Sequence, residues 1–388
     1  MTLCIQNAKL VLPSEIRSGC LVVRDGVIQE ICQHVDTKDM QLIDAQGAYV
    51  TPGFIDLHVH GGGGYTLMSG EAEDVKNMCR AHLADGTTTI LPTTLAAPMD
   101  VLLPAVQAVR KAAEAYTDST LAGVHLEGPF LSPAQSGAQS PGAIIPPDLE
   151  KAQALLDAFP GGVRMMGIAP ELPGAYETAD FLSRLGIVVS CAHTDAAYEQ
   201  VAEGVSHGFS DVTHLYSCCS TIRRVNGYRV PGVVEAGLNM DELTVQFIGD
   251  LRHLPVPLIQ LILRCKGTDK AYLVTDGLEF SAATLEEGAR YVQKNGMETV
   301  YEDGVMKLPH RQAFAGSVAT MRRMVKNLVD QVGVSLTDAV RLAATTPAAR
   351  IGLRRKGRIA VGYDADLVLL TQNLETQAVI AKGRLVKK

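Results

Sequence analysis

Two histidines separated by one residue, His58 and His60, follow an apolar run and precede four glycines. The run from Phe54 to Leu57 has the composition of a buried strand. Side chains two apart on a strand point to the same side, so the two imidazoles share a face, as metal ligands often do. The pair alone could equally be polar residues at a strand end before a flexible loop. The spacing therefore indicates a metal site that needs further ligands from other parts of the chain.

Further polar residues end other predicted strands: His125, Glu127, His193, His214 and Asp276. Each has a simple structural alternative, since an aspartate before glycine is often a turn residue and a lone histidine is often a packing residue. In an α/β barrel, however, the carboxyl ends of all strands meet on one rim. We therefore predict a metal site with imidazole and carboxylate ligands, which suit Zn, Fe, Mn or Co.

The middle of the chain alternates between short apolar runs and amphipathic helical patterns. This alternation predicts an α/β fold, a (β/α)8 TIM-like barrel with buried parallel strands. A polar hairpin insertion around Asp303 and Gly304 is expected after the eighth strand, and two further helices should close the barrel. The eight strands are predicted at residues 53–59, 87–93, 121–127, 163–169, 186–193, 210–216, 243–250 and 271–276.

Both ends of the chain are rich in strand patterns. The segment around Asp25 and Gly26 is a strong hairpin signal, and a second turn is expected at Lys382 and Gly383. Two β-rich ends around a different middle predict a small β-sandwich domain that is formed from both termini. The predicted domains are residues 1–50 plus 358–388 for the β-sandwich and 51–357 for the catalytic barrel.

The composition narrows the functional classes. The 388 residues are 47% apolar and 20% charged, as expected for a globular protein, and the net charge of −7 with no basic stripe argues against nucleic-acid binding. No apolar run reaches the roughly 18 to 20 residues of a membrane span, and the first residues lack a signal-peptide pattern. The eight cysteines contain no CxxC pair, which favours reduced thiols. We therefore expect a cytoplasmic enzyme with a small-molecule substrate and no nucleic-acid or membrane partner.

Several of these segments resemble the amidohydrolase superfamily. The matching motifs are PGFIDLHVHG, HLEGP, AHT, THLY, VTDG and AGS, together with the closing TPAARIGL and DADLV. More narrowly, the set is similar to N-acetylglucosamine-6-phosphate deacetylases. The resemblance covers nearly the whole chain and implies a distorted (β/α)8 barrel with a small β-sandwich.

The resemblance also implies a set of metal ligands. Glu127, His193 and His214 would hold the main divalent metal, and His58 and His60 would hold a second one with Glu127 bridging. One or two metals per subunit are thus expected. Many amidohydrolases bridge two metals with a carboxylated lysine on strand four, but that strand reads VRMMGIAPE and has no lysine.

In this family, hydrolysis needs a metal and a proton carrier. A bound metal activates water and polarises the amide carbonyl. The resemblance makes Asp276 the catalytic residue, which takes a proton from the attacking water and returns it to the departing amine.

Substrate contacts are also implied by the resemblance, although the sequence departs from the family pattern there. Gln139 stands where a histidine that orients the carbonyl is common, and it can donate an N–H but cannot become a cation. Ser217 replaces an asparagine that positions the sugar. Ala315 and Gly316 could offer backbone groups to the substrate, and Ser317 is expected to cap the next helix. The full set of expected contacts is Gln139, Ser217, Cys218, Arg224, Arg229, His253, Ala315 and Gly316.

A basic segment points to an anionic substrate group. Arg223, Arg224, Arg229, Arg252 and His253 together would suit a phosphate, because guanidinium groups match its geometry. A solvated basic loop is the alternative. In the family this site often lies across a dimer interface, so we expect a homodimer with the phosphate site near the interface.

The leading expectation is hydrolysis of the N-acetyl group of an amino-sugar phosphate, namely N-acetylglucosamine-6-phosphate. Alternatives are a galactosamine- or mannosamine-type substrate, another amidohydrolase reaction such as cyclic-amide hydrolysis, and an inactive binder that retains the fold. The last alternative is disfavoured because all five ligands and Asp276 are present.

Overall fold

The computed structural model describes residues 2–294, 296–311 and 313–387. The strands in chain order are β1 (Thr2–Val11), β2 (Ile16–Arg24), β3 (Val27–Cys32), β4 (Gln41–Asp44), β5 (Tyr49–Pro52), β6 (Phe54–Val59), β7 (Gly61–Gly62), β8 (Tyr65–Thr66), β9 (Thr87–Thr94), β10 (Thr120–Leu121), β11 (Val124–Glu127), β12 (Val163–Ile168), β13 (Val188–Cys191), β14 (Phe209–Val212), β15 (Arg223–Val225), β16 (Tyr228–Val230), β17 (Thr244–Ile248), β18 (Ala271–Val274), β19 (Arg290–Val292), β20 (Glu298–Glu302), β21 (Val305–Lys307), β22 (Phe314–Gly316), β23 (Leu367–Leu370), β24 (Thr376–Ala381) and β25 (Arg384–Lys387).

The α-helices are α1 (Ala72–Leu83), α2 (Met99–Ala115), α3 (Leu149–Ala158), α4 (Ala175–Arg184), α5 (Tyr198–Ser206), α6 (Val233–Asn239), α7 (Val256–Lys266), α8 (Met321–Asn327), α9 (Leu336–Val340) and α10 (Thr346–Arg350). Within the described ranges, none of the helices is long and apolar enough to span a membrane.

Eight parallel strands form the barrel, in the order β6, β9, β11, β12, β13, β14, β17 and β18, and the short β10 also pairs with β9. Their side chains are buried on both faces, as in β13 (VVSC) and β18 (AYLV), which explains why such segments are largely apolar without alternation. The barrel closes between β18 and β6, where the Asp276 amide donates to the His58 carbonyl at 2.9 Å. The predicted (β/α)8 barrel and its eight strands are confirmed.

A buried carboxylate ties the same two strands together. Asp56 accepts a hydrogen bond from the Thr275 hydroxyl at 2.5 Å and another from the Thr275 amide at 3.2 Å. Burial raises the pKa of Asp56, although these donors and His82 oppose the shift. The bonds hold the ends of β6 and β18 together directly below the rim.

One of the helices after the barrel begins at a different residue from the one that the sequence suggested. α8 begins after Thr320, whose hydroxyl accepts from the Arg323 amide. The expectation that Ser317 caps this helix was therefore wrong: its hydroxyl instead accepts from the Ala319 amide at 3.0 Å in the preceding turn. α9 begins after Ser335, whose hydroxyl accepts from the Asp338 amide at 3.1 Å.

The two ends of the chain form one separate sheet. Its order is β25, β24, β23, β5, β1, β2 and β3, and β4 pairs with β1. β5 and β23 lie side by side, with Val50 opposite Leu369, so they join the N-terminal and C-terminal strands. The expected union of both termini in one small β unit is confirmed. The domain boundaries at residues 51 and 358 stay a prediction.

Strand β23 contributes to two cores at once. Leu367 and Leu369 pack in the apolar core of the terminal sheet. Val368 and Leu370 point to the other side and pack in the core of the barrel. Since successive side chains of a strand alternate between its faces, four consecutive apolar residues can connect the sheet to the barrel.

A four-stranded antiparallel sheet, in the order β19, β20, β21 and β22, follows the last barrel strand. The turn between β20 and β21 is at Asp303 and Gly304, both with positive φ, as the hairpin prediction required. Leu278, Met306 and Ala315 form a small core beneath it. This insertion covers part of the barrel rim where β18 ends.

Candidate metal centre

The expected metal ligands meet at the carboxyl end of the barrel. His58 and His60 come from the end of β6, and Glu127 is the last residue of β11. His193 and His214 each follow two residues after the end of a strand, β13 and β14. All five are buried, the most exposed being His193 at 5%. The parallel strands thus deliver ligands from four different positions to one place, as the strand-end pattern predicted.

Glu127 forms a first ligand group with two histidines. Its Oε1 atom lies 3.1 Å from His193 Nε2 and 2.8 Å from His214 Nε2. One ligand atom from each residue lies within 4.8 Å of the other two, which is close enough for one metal ion to bind all three.

The same carboxylate belongs to a second group with His58 and His60. The Nε2 atoms of these two rings are 3.3 Å apart. His58 Nε2 lies 3.4 Å from Glu127 Oε1, and His60 Nε2 lies 3.4 Å from Glu127 Oε2. Glu127 therefore stands between the two histidine pairs and can bridge two metals without a lysine from β12.

In three of the four histidine rings, the nitrogen that faces away from Glu127 lies within hydrogen-bond distance of a backbone carbonyl. The Nδ1 atoms of His60, His193 and His214 lie 2.8 to 3.1 Å from the carbonyls of Thr93, Gln135 and Ser217, respectively. Each Nδ1 must therefore donate its proton to that carbonyl.

The Nε2 atoms consequently present lone pairs to the Glu127 carboxylate unless the rings are protonated. Such a convergence of lone pairs and negative charge is resolved by a cation, so these residues fit a divalent metal.

The close approach of histidines and carboxylates shifts the pKa values of these groups. Burial alone would lower the pKa of His58, but the carboxylates of Glu127 and Asp276 outweigh it and raise that pKa to about 9. Burial would also lower the pKa of His193, but Glu127 raises it well above the usual value. Burial would raise the pKa of Glu127, yet His58 and His193 hold it well below the usual range. Glu127 thus stays ionised, as a bridging ligand must.

Asp276 faces the same group from β18. Its Oδ1 atom lies 3.1 Å from His60 Nε2 and 3.5 Å from His58 Nε2, and its side chain is 16% exposed. Burial would raise its pKa, but the hydrogen bond to His60 and the charge of His58 lower it to about 2. This carboxylate is therefore ionised at neutral pH and reachable from the adjoining cavity, as a proton acceptor should be.

Three of these residues have an unusual backbone. His193, His214 and Asp276 have φ angles of 42°, 27° and 47°, in the left-handed region that residues other than glycine rarely adopt. Such strain is typical of functional sites, where the surrounding structure holds the side chain in position. The sequence carries no signal for it, because none of the three residues is a glycine.

Gln246 is a site residue that the sequence reasoning missed. Its Nε2 donates to Asp211 Oδ2 at 2.8 Å, so its carbonyl oxygen points the other way and lies 3.1 Å from His58 Nδ1. His58 must then donate from Nδ1, which leaves its Nε2 free to bind metal. The available signal was a polar residue in the middle of the apolar run TVQFI of β17.

Asp211 anchors this arrangement from inside the barrel. It is fully buried, and burial raises its pKa while surrounding donors oppose the shift. Its carboxylate accepts hydrogen bonds from Ser190, Thr244, Gln246 and Tyr272. Because Asp211 is surrounded by donors, the orientation of the Gln246 amide is fixed.

Six of the expected substrate contacts line one cavity beside the ligands. This small cavity has a volume of about 210 Å³ and also contains Glu127, His193, His214 and Asp276. Gln139 lies at its wall and donates to Glu127 Oε2 at 2.7 Å while accepting from the Ala96 amide at 2.8 Å. The other expected contacts in this cavity are Ser217, Cys218, His253, Ala315 and Gly316.

The structure places the two expected arginines elsewhere. Arg224 and Arg229 lie opposite each other in the exposed hairpin of β15 and β16, outside the small cavity. Neighbouring Arg223 pairs with Asp195 at 2.9 Å. These guanidinium groups and His253 are therefore not brought together in the small cavity.

Residues 49–386 match the profile of the amidohydrolase family. The chain belongs to the amidohydrolase family. It is 29% identical over 367 residues to an N-acetylglucosamine-6-phosphate deacetylase of Lysinibacillus sphaericus, with 94% of this chain and 92% of the relative covered. It is 30% identical over 394 residues to an N-acetylgalactosamine-6-phosphate deacetylase of Shewanella, with 99% and 96% covered.

A solved structure is similar along its whole length. The N-acetylglucosamine-6-phosphate deacetylase from Pasteurella multocida superposes with a TM-score of 0.92 at 29% identity, with 100% of both chains covered. In this amidohydrolase, the family's dependence on a metal agrees with the His and Glu ligand groups described above.

Proposed function

We propose that this amidohydrolase removes the N-acetyl group of N-acetylglucosamine-6-phosphate and releases glucosamine-6-phosphate and acetate. The observation that carries the proposal is the placement of Glu127 between two histidine pairs, with the Asp276 carboxylate 3.1 Å from His60 on the cavity side. The similarity to deacetylases of phosphorylated N-acetyl amino sugars supports the substrate class.

The proposed cofactor is a divalent metal of the Zn, Fe, Mn or Co group, since these accept imidazole and carboxylate ligands. Glu127, His193 and His214 would hold one ion, and His58 and His60 would hold a second with Glu127 shared. When bound, such ions make water more acidic and polarise the amide carbonyl. The chain's own part is to fix the donor atoms and to move the proton.

Asp276 is the proposed proton carrier. A pKa of about 2 makes it a carboxylate at neutral pH, ready to accept a proton from the attacking water. Returned to the amide nitrogen, the same proton lets the amine leave instead of an unstable amide anion. Water thus adds across the C–N bond, and no other reactant is needed.

The small cavity would hold the amino sugar. Its His253 donates from Nδ1 to Asp250 at 2.7 Å. Burial would lower the pKa of His253, but this bond and the Asp250 charge raise it, which favours a cation near an anionic substrate. Ser217, Cys218 and the backbone of Ala315 and Gly316 would contact the sugar, and the Gln139 amide would lie near the carbonyl.

The phosphate would be bound with the help of a second subunit. Arg224 and Arg229 lie in an exposed hairpin whose Tyr228 is 77% exposed, a combination that suits contact with another copy of the chain. We therefore propose a homodimer in which the hairpin of one subunit supplies arginines to the cavity of the other.

The test is acetate release from N-acetylglucosamine-, N-acetylgalactosamine- and N-acetylmannosamine-6-phosphate and from their unphosphorylated forms. The proposal predicts the highest kcat/KM for N-acetylglucosamine-6-phosphate. A higher value for the galactosamine compound would establish the second candidate, which the Shewanella relative favours. No acetate from any of them, with the metal bound, would refute deacetylation of these sugars.

A further inference from the structure

A second cavity opens beside the candidate metal centre. This large cavity has a volume of about 1010 Å³ and shares four lining residues with the small cavity: Leu95, Gly137, Ala138 and Gln139. Ligand pockets in proteins typically measure about 300 to 1,000 Å³, so the space is of ligand size. The methyl group of an acetyl substituent is much too small to fill it.

The two cavities adjoin on the barrel rim, and the small one is also lined by residues that follow β13, β14 and β17. The large cavity is lined by loops that follow the first three barrel strands, β6, β9 and β11, and by the insertion sheet. The small cavity takes its sugar-facing residues from the ends of the later strands, including Ser217, His253 and Asp276. A substrate whose amide bond lies at the metal centre, where the two cavities meet, has an amine part and an acyl part on either side of that bond. If the amine side lies in the small cavity, the acyl side points toward the large one.

The wall of the large cavity is mostly aliphatic. Met68, Leu95, Met297 and Leu308 are half-buried there, and Val101 is 40% exposed. Methionines adapt to ligands of different shapes because their side chains are unbranched and flexible. Beside these aliphatic side chains the hydroxyl groups of a second sugar ring would find no hydrogen-bond partner, whereas an alkyl chain would lose only its contact with water.

One polar group on this wall has no hydrogen-bond partner in the part of the chain that the structure describes. Gln293 is 6% exposed, and its amide nitrogen makes no hydrogen bond within the described residues. Nearby Glu279 accepts from the Lys294 amide at 3.0 Å. A buried donor without an acceptor is unfavourable, so a water molecule would be favoured at this polar end of the cavity, and the aliphatic part of the wall is left for an alkyl chain.

We propose that the large cavity is an acyl pocket and that the enzyme hydrolyses aliphatic N-acyl groups longer than acetyl from amino-sugar phosphates. The inference rests on the proposed function, because it uses the same metal ligands, Asp276 and sugar cavity. The reaction is unchanged: water is added across the amide bond, and a free amine and a longer carboxylic acid are formed.

The first experiment compares N-acetyl-, N-butanoyl- and N-hexanoyl-glucosamine-6-phosphate with the metal-loaded enzyme. The assay measures the amine, which is the same product in every case. We expect the longer substrates to match or exceed the acetyl compound in kcat/KM, with KM lower by up to about fourfold per buried methylene. Turnover of the acetyl compound with a hundredfold or greater loss for the hexanoyl compound would overturn the acyl pocket and leave the proposed function intact. No amine from any substrate would refute both.

The second experiment fills the large cavity away from the metal ligands. Ala97 lines it and does not line the small cavity. Ala97→Phe should lower kcat/KM for the hexanoyl substrate at least tenfold and change that for the acetyl substrate less than twofold. Ala115→Phe, at an exposed position at the end of α2, is the matched control. If Ala97→Phe does not fold, Val101→Phe at the cavity rim takes its place. Equal effects on both substrates would refute the proposal.

Discussion

Four imidazole rings surround the Glu127 carboxylate in the candidate metal centre, and Asp276 faces two of them, so protons and metal ions compete for the same nitrogen atoms. Glu127 and Asp276 hold the pKa of His58 at about 9, although burial acts in the opposite direction. Burial lowers the pKa of His214 and keeps that ring neutral. His58 and His214 thus differ in their protonation although both present Nε2 to the same carboxylate.

This competition predicts that metal affinity rises with pH. His58 carries a proton below about pH 9 in the metal-free protein, and a metal ion must displace it. The dissociation constant should fall by about tenfold per pH unit between pH 7 and 9 for each displaced proton. Chelator competition at several pH values measures this slope. His207→Ala, at a surface histidine, should keep it, and an affinity independent of pH would contradict the charge assignment.

Replacing Asp276 tests the proton carrier. Asp276→Asn preserves the shape of the side chain but cannot accept the proton, so kcat should fall by about 10² to 10⁴-fold with the metal content unchanged. Turnover assays and elemental analysis measure the two quantities. Asp330→Asn on the exposed helix surface is the control. Near-normal turnover in the Asp276 variant would remove that residue from the mechanism.

The Gln246 amide is predicted to hold His58 in its metal-binding form. Gln246→Met keeps the volume but loses the bonds to His58 and Asp211, so affinity at the second metal position should weaken about 10- to 100-fold. The buried Asp211 also loses a donor, which should lower the free energy of unfolding by about 1 to 3 kcal/mol.

Metal titration and chemical denaturation measure these two effects, with Gln260→Met as the control on α7. A folded Gln246→Met variant with unchanged metal affinity would show that the ring needs no such support.

At the scale of elements, the strand ends were predictable and the supports beneath them were not. His58, Glu127 and His193 could be found because each polar residue interrupts or ends an apolar run. Gln246 is oriented by Asp211, which is 35 residues away in the chain, and a contact at that separation leaves no local pattern. Ser317 and Thr320 show the same limit, since both are reasonable helix caps and only packing decides between them.

The large cavity was also beyond sequence reasoning. Its wall combines loops after three strands with the insertion sheet, and no single segment is unusual in composition. The insertion was recognised as a hairpin, but its position over the rim depends on the whole barrel. The sequence indicated Gln139 as a substrate contact, but its hydrogen bond to Glu127 became visible only in three dimensions.

The end of strand β6 is predicted to supply both histidine ligands of the second metal position. The double substitution His58→Ala and His60→Ala should lower the number of metal ions bound per chain from about two to about one. Glu127, His193 and His214 remain as a complete ligand group. Elemental analysis of the protein after dialysis measures the number. The control is His207→Ala. Two ions bound to the double variant would place the second metal elsewhere.

At the scale of the whole molecule, phosphate recognition is predicted to need two subunits. Arg224→Ala with Arg229→Ala should raise KM for the phosphorylated substrate at least tenfold, since charge-assisted hydrogen bonds are lost, and should leave kcat/KM for the unphosphorylated sugar nearly constant. Steady-state kinetics and measurement of the molecular mass in solution test this together, with Arg264→Ala as the control. Equal losses for both sugars, or an active monomer with normal KM, would contradict the shared site.

The pairing of β5 with β23 has a consequence for how the chain is made. The Thr51 hydroxyl contacts the Val368 carbonyl across 317 residues, so β5 leaves the ribosome long before its neighbour exists. Until then one edge of β5 is unpaired, and an open edge can pair with other chains. The apolar core of the barrel also lacks the side chains of Val368 and Leu370 during that interval. The chain is therefore most prone to aggregate during translation, after β5 has been synthesised and before β23 pairs with it.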